Sequence, residues 1–491
     1  MITTSLRAGA AYSDRSSTSH WPRSPDLVKG FRAPSRLLWR ADTIRARSPM
    51  RKFSIIIATV STLFVAACGG GDDNASSGSS TAVPATEPSG PVVSPAEQYC
   101  ATKGGYVELV EENGQQVGYC VLPDGQRVNV QEYYSTSQPP TEITAATSVD
   151  VTTDGELGWY PSITLGSDGQ AVISHHDRTK GDLLVTKCTT DDCSESTTTV
   201  VDSSNEVGLY SSLAIGSDGM PIISHQDRTN GDLRVTHCST ADCTTSTTTA
   251  VDTEGDVGWD SSIAIGEDGL AIISHHDNTN GTLRVTHCSN TECTEATSTT
   301  VDASAEVGWY TSIAIGEDGL AIISHRDETN DDLRVTHCSN TECTEATSTT
   351  VDSEGDVGQE TSIAVGSDGL AVIGHWDFSK AGLRVSKCVD VTCTSATSTL
   401  IENDRQEGNH LSVAIGSDGF PIISLVDVNF SSLWVTHCDD HGCTNSVTTP
   451  VDNTASSATS ITIGADGRPL IAASTGSKLR VTRCNNTTCT A

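Results

Sequence analysis

The chain has 491 residues, of which 36% are hydrophobic and only 4% aromatic, and its formal net charge is −34. A chain of this length exceeds one ordinary hydrophobic core, so several units or one large repeat fold is expected, and the acidic balance argues against nucleic acid as a partner. Abundant Thr, Ser, Val, Ile and Gly, with little helix-period apolar patterning, favour β-structure.

Residues 1–52 differ in charge from the rest of the chain. They hold 11 Lys or Arg and 3 Asp or Glu, whereas the remaining residues hold 18 and 60. Residues 1–49 are polar and basic with no periodicity, and we interpret them as a misassigned extension upstream of the true start at Met50. The acidic remainder is expected to keep a secreted protein soluble and to attract cations.

A secretion signal is predicted at residues 50–67. Two basic residues are followed by the apolar run Phe53 to Ala67, which is too short to span a bilayer comfortably. The tetrapeptide Val65-Ala66-Ala67-Cys68 resembles the lipobox of bacterial lipoproteins. The resemblance implies cleavage before Cys68 and lipid attachment to its sulfur. Gly69, where an Asp would imply retention in the inner membrane, implies the outer membrane, facing the periplasm or the cell surface.

Residues 68–93 are rich in Gly and Ser and then in Pro, which is typical of a flexible tether. Residues 94–135 predict a small α+β domain: a helix from Pro95 to Thr102, a hairpin turn at Asn113-Gly114 and a second turn at Asp124-Gly125. Its only cysteines, Cys100 and Cys120, are predicted to form a disulfide, because so small a unit lacks a sufficient core of its own.

The same stretch resembles a small bacterial domain of unknown function that often carries the label of a hemolysin. It departs from that family at Tyr133, where the family usually has Trp. No amphipathic or apolar membrane segment supports haemolysis. The resemblance implies a periplasmic or surface lipoprotein and rests on these residues: Pro95-Ala96, Tyr99-Cys100, Gly104-Gly105, Gly118-Tyr119-Cys120, Pro123-Asp124-Gly125 and Glu132-Tyr133-Tyr134.

From residue 150 onwards one unit of 50 residues recurs, and the last copy follows after 48. A fixed period of about this length is typical of a propeller or a repeat array. Each copy contains four short apolar stretches separated by Asp-Gly or Asn-Gly turns, which predicts a four-stranded antiparallel sheet. Seven copies begin at Ser162-Ile163, Ser212-Leu213, Ser262-Ile263, Ser312-Ile313, Ser362-Ile363, Ser412-Val413 and Ser460-Ile461.

The two ends of the repeat region predict how it closes. The last copy stops just after its second cysteine, so that its fourth strand is missing, whereas the segment Thr141 to Asp150 resembles that fourth strand. We therefore predict an all-β fold for residues 141–491: a seven-bladed β-propeller closed by an N-terminal strand and preceded by the small α+β disulfide domain.

Every copy carries two cysteines separated by four residues, a spacing that places both sulfurs across the hairpin between the third and fourth strands. In an oxidising compartment disulfides are expected rather than zinc sites. With Cys100–Cys120 and the lipidated Cys68, the following pairs account for all 17 cysteines: Cys188/Cys193, Cys238/Cys243, Cys288/Cys293, Cys338/Cys343, Cys388/Cys393, Cys438/Cys443 and Cys484/Cys489.

A His-x-Asp pattern ends the second strand of five copies. His and Asp serve acid–base catalysis and metal binding, but a catalytic site is asymmetric, whereas this pattern repeats in phase. We therefore favour Asp residues that cap their own turns and His residues that pack at blade edges, over a shared central cation or catalysis. No cofactor is predicted, although a divalent cation such as calcium is left open.

Loops after the second and fourth strands share one face of a propeller, which would carry acidic and aromatic residues suited to a glycan or a protein. Blades five to seven break the pattern, at Gln359-Glu360, Asn409-His410, Trp376 and Phe378, and we would seek a ligand there. The candidate ligand face comprises Trp159, Tyr160, Tyr210, Trp259, Trp309, Tyr310, His175, His225, His275, His325, His375 and Trp376.

The sequence thus predicts a monomeric, lipid-anchored envelope protein that binds a protein or glycan and is not an enzyme, with no catalytic residue assigned. The alternatives are a glycan hydrolase or lyase that uses central His and Asp residues, and a purely structural surface protein. A deep central pocket with unpaired carboxylates would favour the enzyme.

Overall fold

A computed structural model describes residues 100–101, 103–112, 115–130, 133, 144–152, 155–401, 408–427, 431–455 and 457–490. The predictions for residues 1–49, 50–67, Cys68 and the tether 68–93 lie outside these residues. Within this described part, no helix has both the length and the apolar character needed to cross a membrane.

The small N-terminal domain is a three-stranded antiparallel sheet of β1 (Tyr106–Glu112), β2 (Gln115–Val121) and β3 (Arg127–Asn129). Of the predicted helix, Cys100 and Ala101 are described and helical, and the Asn113-Gly114 turn lies outside the described residues. The predicted Cys100–Cys120 disulfide is present, with a Cα–Cα distance of 5.7 Å, and is fully buried.

Seven four-stranded sheets follow and form the blades. Blade one consists of β5 (Trp159–Leu165), β6 (Ala171–Asp177), β7 (Asp182–Cys188) and β8 (Ser196–Asp202), and blade two of β9 (Val207–Ile215), β10 (Pro221–Asp227), β11 (Asp232–Cys238) and β12 (Ser246–Asp252). Blade three consists of β13 (Trp259–Ile265), β14 (Ala271–Asp277), β15 (Thr282–Cys288) and β16 (Ala296–Asp302). Blade four consists of β17 (Val307–Ile315), β18 (Ala321–Asp327), β19 (Asp332–Cys338) and β20 (Ala346–Asp352).

Blades five and six are β21 (Gln359–Val365), β22 (Ala371–Asp377), β23 (Gly382–Cys388) and β24 (Ala396–Ile401); and β25 (Gly408–Ile415), β26 (Pro421–Asp427), β27 (Ser432–Cys438) and β28 (Ser446–Asp452). Blade seven consists of β29 (Thr459–Ile463), β30 (Pro469–Ser474), β31 (Leu479–Cys484) and the N-terminal strand β4 (Ala146–Asp150), which pairs antiparallel with β31. The predicted seven-bladed propeller and its closure by an N-terminal strand are confirmed.

Turn chemistry explains why each repeat folds as a meander. In blade three the backbone N–H of Gly269 donates to the carbonyl of Gly266 at 3.0 Å, and Asp268 Oδ1 accepts the N–H of Leu270. Gly269 has φ +78°, a left-handed conformation that favours glycine. The predicted Asp-Gly turn therefore joins the first two strands of the blade.

A ladder of serine hydroxyl groups joins the innermost strands of neighbouring blades. Ser212 Oγ accepts the backbone N–H of Ile263 in the next blade at 3.2 Å. Ser460 accepts the N–H of Ile163 in the same way, which connects blade seven to blade one. All seven blades repeat this bond, so the recurring Ser-apolar pair bonds each innermost strand to the next around the ring.

The hydrophobic core is divided among the interfaces between blades. Between blades two and three, Ile222 and Val235 pack against Ile263 and Ile273, and all four are buried. Burial of one such side chain stabilises a fold by roughly 1.5–3 kcal/mol. Small aliphatic residues, rather than the scarce aromatic ones, therefore hold the blades together.

Each blade also contains its predicted disulfide at the outer hairpin, and both cysteines of every pair are buried. The Cα–Cα distances of these bonds lie between 4.8 and 5.0 Å. Cysteine pairs at a spacing of five residues therefore serve the scaffold in every blade. The seven bonds are Cys188–Cys193, Cys238–Cys243, Cys288–Cys293, Cys338–Cys343, Cys388–Cys393, Cys438–Cys443 and Cys484–Cys489.

The second cysteine of each pair lies in the turn itself, so the bond closes the hairpin between the third and fourth strands, as the spacing predicts. In blade three the residue opposite Cys288 is Ala296, whereas Cys293 precedes that strand and donates its N–H to the carbonyl of Asn290 at 3.1 Å. The spacing is too short to reach the paired position, so the bond closes within the turn. The second cysteines are Cys193, Cys243, Cys293, Cys343, Cys393, Cys443 and Cys489.

All seven second cysteines have φ between 50° and 57°. This left-handed conformation is costly for a residue with a side chain. The outer hairpin of each blade is thus held in a strained turn by a covalent bond.

Candidate functional site

The central channel opens on the face that carries the loops after the second and fourth strands of each blade. Those loops contact each other directly: the N–H of Val257 donates to the carbonyl of Gly231 at 2.9 Å. The innermost strand of each blade begins at this face, and its first residues form the mouth of the channel. We call this wall the cup.

Six blades place a non-glycine residue in the left-handed region at the same point of the innermost strand, with φ from 50° to 60°. In all six of these blades the register of the first two strands shifts at this point, as between Trp259 and Ser262. Strained conformations of this kind cluster at functional sites. The residues are Tyr160, Tyr210, Asp260, Tyr310, Glu360 and His410, and Ala458 follows them in blade seven.

The next blade holds this strained position in place. Ser211 Oγ donates to the carbonyl of Tyr160 at 2.9 Å, and it lies 3.0 Å from Ser174 Oγ. Thr361 Oγ1 donates to the carbonyl of Tyr310 at 2.7 Å. Because the contacts use the backbone of the strained residue, its side chain is free to face the channel.

These side chains enclose a cavity of about 190 Å³. All seven blades contribute to its wall, so it is surrounded on every side and opens along the channel axis. Its lining is Tyr160, Pro161, Tyr210, Ser211, Asp260, Ser261, Tyr310, Thr311, Glu360, Thr361, His410, Leu411, Ala458 and Thr459.

Asp260 is the carboxyl group with the most altered environment in the cup. Burial raises the pKa of Asp260 to about 7, with a further contribution from the negative charge of Glu360. Its Oδ2 accepts the backbone N–H of Tyr310 at 2.8 Å, which opposes that rise and fixes the orientation of the carboxyl group. At neutral pH Asp260 is therefore able to donate a proton.

Glu360 lies beside a histidine. His410 Nδ1 is 2.9 Å from Glu360 Oε2, and the side chains are 38% and 19% exposed. Burial disfavours a charge on His410, but the Glu360 carboxylate outweighs this effect and raises the pKa of the imidazole. The contact thus favours the protonated form of the His410 ring.

Aromatic rings occupy the other side of the cup and its rim. Consecutive ring centroids are 4.7 Å apart for Tyr160 and Tyr210, 5.5 Å for Tyr210 and Trp259, and 6.4 Å for Trp259 and Trp309. Burial raises the pKa of Tyr160, Tyr210 and Tyr310, so all three hydroxyls stay protonated. We call the four rings from Tyr160 to Trp309 the aromatic arc.

The histidines of the candidate ligand face lie elsewhere, inside their blades and fully buried. In blade four, Gly308 N–H donates to His325 Nδ1 at 3.3 Å, so the proton is on Nε2, which lies 2.9 Å from Thr336 Oγ1. Burial lowers the pKa of His225, His325 and His375 to about 4, and that of His175 and His275 to about 3. These rings are neutral and hold strands together.

The Asp of each pattern forms a turn. Asp277 Oδ1, for example, accepts the backbone N–H groups of Thr279 and Asn280, each at 3.0 Å. Among the described residues, no three His, Cys, Asp or Glu are placed to hold a metal ion.

Of the aromatic candidates, Tyr160, Tyr210 and Tyr310 line the cup. Trp159, Trp259 and Trp309 each precede the strained residue by one position and are partly exposed, whereas Trp376 is buried in the core of blades five and six. Glu360 and His410, at two of the places where the repeat pattern breaks, also line the cup. Asp260 was not singled out, although its blade differs there from the almost identical blade four.

Comparison with known proteins identifies the small domain. Residues 92–137 match a family described as a domain of unknown function, DUF333, in agreement with the resemblance found in the sequence. The match gives the segment no activity. A search of curated proteins found no match to the chain.

Solved structures similar to the chain align with about seven-tenths of it at low identity. Hydrazine synthase of Kuenenia stuttgartiensis is 10% identical over 68% of this chain and 97% of its own, with a TM-score of 0.48. The periplasmic gluconolactonase of Pseudomonas aeruginosa is 11% identical over 71% and 97%, with a TM-score of 0.43. The intramolecular trans-sialidase of Ruminococcus gnavus is 13% identical over 70% and 97%, with a TM-score of 0.40.

The prediction that the chain is not an enzyme is corrected. The matched structures are mostly enzymes by their titles. The prediction rested on the lack of a carboxylate pair in the sequence, but the fold brings Asp260 and Glu360 from blades three and five into one cavity together with His410.

Proposed function

We propose that the protein is a glycoside hydrolase whose catalytic carboxyl groups are Asp260 and Glu360. The observation that carries the proposal is their placement in one cavity, where burial raises the pKa of Asp260 to about 7 and Glu360 lies beside His410. Hydrolysis of a glycosidic bond requires two carboxyl groups, one that donates a proton and one that acts as a carboxylate.

The reaction gives each carboxyl group one role. Asp260 donates its proton to the glycosidic oxygen as the bond from that oxygen to the anomeric carbon breaks. Glu360, as a carboxylate, stabilises the positive charge that develops on the sugar and accepts a proton from the water that attacks the anomeric carbon. One water is consumed; Glu360 then releases its proton to solvent, and Asp260 regains one from solvent.

The remaining groups of the cup suit a sugar. Aromatic rings offer flat apolar surfaces for the C–H face of a pyranose, and the protonated tyrosine hydroxyls offer hydrogen bonds to its oxygens. His410 acts as a positioning residue, because its contact with Glu360 fixes the orientation of that carboxylate.

A lyase is the weaker choice for this cavity. Elimination from a uronic acid removes a proton next to a carboxylate, so the site must neutralise the negative charge that accumulates there. Among the described lining residues, His410 is the one side chain that can carry a positive charge, and it is already paired with Glu360. The cup therefore favours hydrolysis.

The proposal is tested with Asp260→Asn and Glu360→Gln on a panel of polysaccharides, with release of reducing sugar as the readout. Each variant should lower turnover about 100-fold or more, since that is the usual contribution of a general acid or base. Glu254→Gln is the matched control, because Glu254 lies in the loop that leads into the strand of Asp260, with its side chain 83% exposed. Full turnover by Asp260→Asn in a folded sample would refute the assignment.

We also propose that the enzyme is a monomer held on the bacterial outer membrane by lipid on Cys68. The charged start, the apolar run and the Val65 to Cys68 motif support this placement. Cells grown with a radiolabelled fatty acid should label the wild-type protein, whereas Cys68→Ser should be unlabelled and recovered in the soluble fraction. Equal labelling of both forms would contradict it.

A further inference from the structure

The cup has the size of one sugar ring. Its volume of about 190 Å³ is somewhat larger than a cavity of about 150 Å³ that holds benzene. A pyranose is a six-membered ring with additional hydroxyl groups, so one such ring fills the space. A second ring has to lie outside the mouth.

The wall of the cup is continuous around the channel. Every blade adds one strained residue or its equivalent, and the serine ladder bonds each innermost strand to the next, including blade seven to blade one. A groove that is open at both ends would require one of these interfaces to separate. A glycan therefore enters the cup along the channel axis only.

Both carboxyl groups belong to this wall, so the bond that they cleave lies within the cup. A unit from the middle of a chain has a neighbour on each side and needs two exits, whereas the terminal unit needs one. Resting on the proposed function, we infer that the enzyme removes single units from the ends of an oligosaccharide.

The aromatic arc gives the rest of the chain a place to bind. Trp259 and Trp309 are partly exposed at the rim, on the same face as the mouth. Trp259 is fixed by a hydrogen bond from its Nε1 to Asp256 Oδ1 at 2.8 Å, and Trp309 packs on His276 with ring centroids 4.3 Å apart. The unit next to the terminal one stacks on this part of the arc.

The length of the first products tests the inference. The probe is a set of linear oligosaccharides of defined length, prepared from whichever polysaccharide the wild-type protein hydrolyses and fluorescently labelled at the reducing end. In the first few per cent of turnover, each chain should lose one unit from an end. Cleavage at the unlabelled end yields a monosaccharide and a labelled chain one unit shorter, whereas cleavage at the labelled end yields the single labelled unit. Early fragments from the middle of the chain would overturn end-specific cleavage while leaving hydrolysis intact. Failure to hydrolyse any polysaccharide would overturn the proposed function itself.

A variant pair tests the place of the second unit. Trp309→Ala should reduce, by about five-fold, the gain in kcat/KM that the wild type shows from a methyl glycoside of one unit to a two-unit chain, since a stacked ring contributes about 1 kcal/mol. Phe378→Ala is the matched control: its ring is 59% exposed directly after β22 on the same face but outside the arc. An unchanged chain-length dependence in folded Trp309→Ala would remove the arc from the inference.

Discussion

At the scale of single residues, Asp260 sets the pH range of the proposed reaction. Burial raises the pKa of its carboxyl group to about 7, so the acid form persists up to that pH and is lost above it. We expect kcat/KM to fall about ten-fold for each pH unit above about 7, because only the protonated form donates to the leaving oxygen. A pH–rate profile from pH 5 to 9 measures this fall.

Glu254→Gln provides the control for that profile and should retain the alkaline limb. A profile without a limb near pH 7 would show that Asp260 is not the proton donor. The orientation of Asp260 also depends on the Tyr310 backbone, which the sequence does not reveal.

The strained position explains why the sequence predicted only part of the cup. The sequence indicates Glu360 and His410 because they interrupt a pattern of aromatic residues. Asp260, in contrast, follows Trp259 in a stretch that keeps the aromatic residue of the repeat. Its direction depends on a register shift and on a left-handed backbone, neither of which a pattern of residue types encodes. When the seven repeats are aligned with each other, the strained position is a single column of the alignment that contains Tyr, Asp, Glu, His and Ala.

At the scale of strands and hairpins, the disulfides hold a strained turn. Removing one from a loop this short should lower stability by about 2 kcal/mol. We expect the double variant Cys238→Ala, Cys243→Gly to be more stable than Cys238→Ala, Cys243→Ala by about 1 kcal/mol, because Cys243 has φ 52°, which favours glycine. Denaturant unfolding of the two variants measures the difference, and equal stability would show that the turn relaxes once the bond is gone.

The buried histidines make the second strands sensitive to acid. Burial lowers the pKa of His325 to about 4, so the folded state disfavours a proton that the unfolded chain accepts below about pH 6.5. Each such histidine contributes stability that is present above pH 6.5 and is lost as the pH falls to about 4, in total about 3 kcal/mol.

His325→Leu tests this account. At pH 7.5 the variant should be less stable by about 1–3 kcal/mol, because Gly308 N–H and the Thr336 hydroxyl lose their partner. Its thermal midpoint should then fall less than that of the wild type between pH 7.5 and 5. If the thermal midpoint of His325→Leu falls as much as that of the wild type over this pH range, the acid sensitivity belongs to other groups. Blade six already carries Leu425 at this position, packed against Trp434.

At the scale of the whole molecule, the fold followed from local signals. Asp-Gly turns every 50 residues specify each meander, and the incomplete last repeat specifies the closure. What the sequence did not predict is the bonding between blades, because Ser212 and its equivalents read as ordinary polar strand residues. Their partners lie about 50 residues away in the sequence.

We expect the stability of the ring to depend on the pairing of β4 with β31. Val151 N–H donates to the Leu479 carbonyl, the Leu479 N–H donates to Thr152 Oγ1, and Asp150 pairs with Arg480. A protein that starts at Gly155 lacks all three contacts and should show a lower thermal midpoint and faster proteolysis within residues 457–490. A protein that starts at Thr141 is the control, and equal behaviour of the two would mean that blade seven does not need the strand.

The strained position also bears on how such a site arises by gene duplication. Blades three and four have nearly the same sequence, yet one presents Asp260 to the cavity and the other Tyr310. Because neighbouring blades bond to the backbone carbonyl of this position at Tyr210 and Tyr310, those bonds do not depend on which side chain one codon specifies there. A duplicated blade therefore supplies both the scaffold and one independently variable group, and selection can alter the chemistry of the cavity one blade at a time.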